Sequence, residues 1–101
     1  MPIFILMTKL TPEGMENGGE RKARGKAWLN KVRKVCPQVM WIAHYSLLGR
    51  YDFMDIYEAP DIETAHLVAL ISRSAGAMSA ESWPAIPYDD YLGQLDKLPH
   101  D

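Results

Sequence analysis

The chain has 101 residues, a single cysteine, a formal net charge of −2 and 48% hydrophobic residues, which bounds it to one small domain with one core and excludes an intramolecular disulfide. No run reaches the roughly 20 apolar residues that span a bilayer, and the opening segment lacks a basic start and a cleavage pattern, so the expectation is a cytoplasmic protein without membrane contact. Charge is divided unevenly: residues 1–50 hold nine Lys/Arg against three Asp/Glu, and residues 51–101 hold two against ten, a split that favours contact between unlike halves of neighbouring copies.

Residues 3–9 are apolar on both alternating faces until Thr8 and Lys9, as in a central strand covered on both sides. Thr11, Pro12 and Glu13 form a helix start, which Asn17, Gly18 and Gly19 break after about one turn. A main helix over residues 20–36 follows, with Gly25, Trp28, Leu29, Val32, Val35 and Cys36 spaced as one buried stripe. Seven of the eleven basic residues lie between Arg21 and Lys34, on what that stripe leaves as the outer face. A solvated helix face explains them without nucleic acid, and Pro37 ends the helix.

Residues 39–60 read as a hairpin turning at Gly49 and Arg50. A two-residue loop there pairs Leu48 with Tyr51, His44 with Asp55 and Ala43 with Ile56. One face then holds Val39, Trp41, Ala43, Tyr45, Leu47, Met54 and Ile56. The other holds Met40, Ile42, His44, Ser46, Leu48, Tyr51, Phe53, Asp55 and Tyr57. A second helix over residues 61–75 is capped by Asp61, buries Thr64, Leu67, Val68, Ile71 and Ala75, and ends at Gly76. A last strand over residues 77–83 follows, and Pro84 and Pro87 stop its pairing. Tyr88, Tyr91, Leu92 and Leu95 mark a short closing helix.

The order β-α-β-β-α-β plus a closing helix is that of the α+β ferredoxin-like fold, one four-stranded antiparallel sheet with two helices on one face. Gly49, Tyr51 and Asp52, with Thr11 to Gly14 before them and Glu58 to Asp61 after, make the chain resemble the GYD domain family. The resemblance implies a small stand-alone protein of dimeric α+β-barrel type, and it lends no established activity.

His44 beside Asp55 is the constellation suited to acid–base work, because the carboxylate holds the imidazole in one tautomer. The plainer alternative is a cross-strand pair that satisfies two polar groups. With Tyr57 the pair is expected on the open sheet face, joined by Tyr51, Glu81 and Trp83, while Asp52 has a choice between ligand and turn amides. His44, Asp55 and Glu81 have metal-ligand chemistry without metal-ligand spacing, and no phosphate loop, hydrolase triad or dinucleotide fingerprint is present. No cofactor and no metal are therefore expected. Two readings follow: an oligomeric binding module for an apolar or aromatic small molecule, or a cofactor-independent enzyme (isomerase, decarboxylase or monooxygenase) with His44 as base and Asp55 as its orienter. A homodimer or larger assembly through the open sheet face is expected in both.

Overall fold

The computed structural model describes residues 1–12 and 18–99. The elements are β1 (Ile3–Leu10), α1 (Gly18–Val35), β2 (Met40–Ser46), β3 (Phe53–Glu58), α2 (Ile62–Ser74), β4 (Ala77–Ala85) and α3 (Tyr88–Leu95). The strands form one antiparallel sheet in the order β2-β3-β1-β4. Val32 and Cys36 from the α1 end meet Ala65, Val68, Ala69 and Ile71 of α2 in one core with Phe4, Leu6, Tyr57 and Ala80 of the sheet. Both helices therefore cover the same face, as the ferredoxin-like order requires. Among the described residues no helix is long and apolar enough to cross a membrane.

Local chemistry sets the ends of these elements. Asp61 caps α2, its carboxylate accepting the Thr64 amide at 2.8 Å and the Thr64 hydroxyl at 2.6 Å; these bonds hold the Asp61 carboxyl below its ordinary range. Gly76 follows α2 with φ of 98°, a left-handed position that glycine adopts at least strain. Pro84 pairs with Phe4 inside β4 rather than ending it, because β4 is an edge strand and a proline there leaves no ladder bond unmade. The helix start expected at Thr11 falls mainly on residues 13–17, outside the described residues, and α1 begins at Gly18 rather than beyond the glycine pair.

The β2–β3 hairpin departs from expectation twice. Its register matches from Ala43 to Ser46, with His44 opposite Asp55, but steps by one between Trp41 and Ala43. Ile42 is left without a ladder partner, so Trp41 and His44 come onto the same, helix-covered face. The turn is also wider than two residues: the Leu47 amide reaches the Asp52 carbonyl at 2.8 Å, Leu48 is fully exposed and Gly49 has no positive φ.

Register also identifies the uncovered face. Tyr45, Met54, Met7 and Glu81 form one row across it, and Ala43, Ile56, Ile5 and Trp83 the next. Only one face of β1 is covered by helices. On the other, Ile3 and Ile5 stay half-buried and Met7 is buried. Phe53 and Tyr57, expected on the open face, lie beneath the helices. Beyond β4, among the described residues, α3 makes no substantial packing contact with any other element, and its Tyr88, Tyr91, Leu92 and Leu95 are all exposed. The radius of gyration, 15.7 Å, exceeds the roughly 13 Å of a compact chain of this length, as a projecting α3 requires.

Candidate functional site

A cavity of about 450 Å³ opens between α1 and the sheet. Its floor is Thr8, Leu10, Phe53, His44 and Asp55; Arg21, Gly25, Trp28 and Leu29 of α1 roof it, and Ser72 with the Gly76 turn closes one end. This volume lies within the span of small-molecule sites, about 300 to 1,000 Å³.

The His44 imidazole and the Asp55 carboxylate meet here, Nδ1 to Oδ1, at 2.7 Å. The ring is 46% exposed and the carboxylate 11%. Burial pushes the Asp55 carboxyl up, against the opposing hydrogen bond from His44. With Nδ1 engaged, Nε2 is the ring nitrogen left for a ligand. The expectation of a His44–Asp55 pair is met in geometry, but the pair faces the helices, and the space beside it lies under α1.

An aromatic group backs the pair. Trp41 lies 5.1 Å from His44, 5.2 Å from Tyr57 and 5.3 Å from Trp28, centroid to centroid. The Trp28 indole N–H donates to Ser72 Oγ at 2.8 Å, and Ser72 in turn donates to the Val68 carbonyl at 3.3 Å. These bonds fix the Trp28 ring and consume the hydroxyl at the cavity end. Arg21 carries its guanidinium 5.4 Å over the Phe53 ring, a cation–π placement that draws the charge inward.

The remaining expected site residues are placed elsewhere. Tyr57 is fully buried, its hydroxyl bonded to Ser82 Oγ at 2.8 Å and to the Ala65 carbonyl at 3.4 Å, and burial pushes its pKa up to about 12. Glu81 faces the open side, where Tyr51 donates to it at 3.1 Å and Trp83 at 3.0 Å. The Tyr51 and Trp83 rings meet edge to face at 5.8 Å, and the bond to Glu81 pushes the Tyr51 hydroxyl up. The sheet thus separates Glu81 from His44 and Asp55, and the three do not converge on one metal position. Among the described residues no group of three His, Cys, Asp or Glu side chains is placed to hold a metal.

Asp52 is a clasp. Its Oδ2 accepts the Leu10 amide at 2.7 Å and its own amide donates to the Thr8 carbonyl at 2.8 Å, while Lys9 Nζ donates to the Arg50 carbonyl at 3.2 Å. The Gly-Tyr-Asp segment ties the hairpin loop to the end of β1. Trp28 and Arg21 join the site from α1, while Phe53 shares the face that alternation gives His44 and Asp55. Gly25 was the available signal, since a glycine inside the buried stripe of a helix leaves room beneath it.

The GYD domain pattern matches residues 4–94. A protein of Thermus thermophilus named "glutamine synthetase and cystathionine beta-lyase binding protein" is 33% identical over 95 residues, covering 94% of this chain and 99% of that protein. No solved structure matches the chain at a significant level.

Proposed function

We propose, on the premise that this chain belongs to the GYD domain family, that it is a small binding module. It takes an apolar or aromatic small molecule into the cavity beneath α1. The observation that carries this reading is the His44–Asp55 pair, which opens onto about 450 Å³ walled by Trp28, Leu29, Leu10 and Phe53. Such a cavity, apolar with a few convergent polar groups, is the usual form of a ligand site. The Thermus relative is named for binding two enzymes, which favours binding over turnover and adds proteins to the partners this chain would take.

Copies assemble through the open sheet face. Ile5, Met54, Ile56, Tyr45 and Trp83 form a contiguous apolar surface there, and soluble monomers seldom leave such a patch uncovered. The free, buried Cys36 suits the reducing cytoplasm.

A second reading, a cofactor-independent enzyme, rests on one observation: the His44 ring is accessible from the cavity while a buried carboxylate holds it, the geometry of an oriented base. In that case His44→Ala abolishes turnover and His44→Gln keeps ligand binding.

The test is a panel of aromatic and aliphatic metabolites titrated against the wild type and Gly25→Leu, a change that fills the cavity from its roof. At least one compound should raise the melting temperature of the wild type and leave the variant unmoved. Equal shifts in both proteins would place binding elsewhere.

A further inference from the structure

We infer that the ligand is an amphipathic anion, with an apolar or aromatic body inside the cavity and a carboxylate-like head at the mouth formed by Arg21, Lys22, Arg24 and Lys26. This rests on the cavity beneath α1 being a binding site. It goes further in assigning the sign of the ligand's charge and its orientation.

The lining is charged in one sense. Those four basic residues border the cavity, and among the described residues the one acid that lines it is Asp55, whose Oδ1 is held by His44 at 2.7 Å. A cationic ligand would meet four like charges and one carboxylate already engaged. An anion would meet two guanidinium groups, which bind carboxylates in a bidentate fork, and two ammonium groups. Contacts among the described residues leave these charges available. Arg24 reaches Glu20 only at 4.0 Å, with both side chains more than half exposed, a pair of little energetic weight. Arg21 lies over Phe53, so its charge is held beside the cavity floor.

The interior has the opposite character. Trp28 and Leu29 above, Leu10 and Phe53 below offer apolar surface, and the Ser72 hydroxyl is consumed by Trp28 and Val68. An anion buried to its full length would lose hydration with only the Thr8 hydroxyl and the His44 ring to offset it. A body held in the apolar part with its head at the basic mouth satisfies both regions. Gly25 sits on the roof between them, and a Cβ there would meet only the Arg21 Nη2 atom, at 3.7 Å, so the roof at this position leaves open space.

The experiment uses three probes of one shape, 4-phenylbutyrate, 4-phenylbutanol and 4-phenylbutylamine, titrated into the full chain while the Trp28 indole N–H is followed by NMR. The carboxylate should bind about tenfold more tightly than the alcohol, and the amine more weakly than either. Raising the salt should erode the carboxylate's advantage, since the mouth is exposed to screening. The double variant Lys22→Gln/Lys26→Gln should reduce that advantage several-fold. Equal affinity for all three probes, or tightest binding of the amine, would overturn the assignment of an anion while leaving the cavity as a site. A Trp28 signal that responds to none of them would overturn the cavity reading and this inference with it.

Discussion

The His44 ring and the Asp55 carboxylate meet at 2.7 Å across the β2–β3 ladder, and the protein buries the acid while leaving the imidazole half open to the cavity. A carboxyl raised by burial contributes stability that is present below its unfolded pKa and is lost as pH rises through its folded pKa. The Asp55 contribution to wild-type stability should therefore decline as pH rises out of the usual carboxylate range. Asp55→Asn, which does not titrate, should gain on the wild type over that window in urea melts at stepped pH. A constant difference between the two proteins would contradict the burial argument. His44→Ala, which strips a buried carboxylate of its partner, should destabilise by about 1 to 3 kcal/mol at neutral pH.

Asp52 gives a second prediction. Because its carboxylate accepts the Leu10 amide at 2.7 Å, Asp52→Ala should lower stability by about 1 to 3 kcal/mol through an unmatched β1 donor, with no effect on ligand affinity measured where the variant is folded. Loss of affinity at unchanged stability would return Asp52 to the binding site.

Tyr57→Phe should cost about 1 kcal/mol near pH 7, the net worth of a buried hydroxyl bond. Since burial raises Tyr57 from 10.0 to about 12, the wild type loses this contribution as pH rises through that interval, and the deficit of the variant should shrink in alkaline melts. A deficit that stays constant to pH 12 would contradict the placement of the hydroxyl.

Two substitutions separate stability from binding. Gly25→Ala adds a Cβ that meets only a side-chain end at 3.7 Å, so it should stabilise α1 by roughly 0.5 to 1 kcal/mol with little change in affinity. Removal of residues 87–101, which takes away an α3 that among the described residues packs little on the other elements, should leave the melting temperature of the remaining fold within about 2 °C, a shift corresponding to well under 1 kcal/mol for a chain of this size. A large fall would mean that α3 is held by a neighbouring copy, which light scattering of both proteins would register as a change of mass.

Much of this fold was legible in the residues. The helix over 61–75 announced itself through Asp61 and Gly76, and the closing helix through the spacing of Tyr88, Tyr91, Leu92 and Leu95. The cross-strand meeting of His44 with Asp55 followed from alternation on either side of a turn. What alternation could not give was the face. The step in register at Ile42 has no glycine or proline to mark it, and beside it Trp41 packs against Trp28 and Tyr57. Alternation alone therefore puts Tyr57 and Phe53 on the open side and gives no sign of the cavity under α1. Leu67, expected in the α2 stripe, is exposed, while Ala65 and Ala69 take the core positions, because helices packed close to a sheet favour small residues at the contact.

On this reading the space between α1 and the sheet, beside His44, holds a ligand. The most direct measurement is a crystal structure of the protein after incubation with cell extract. Density for a bound molecule is expected along Trp28 and Phe53, with one end near His44 and the other toward Arg21. Density confined to the open sheet face around Trp83, with the cavity beneath α1 occupied by water alone, would contradict it.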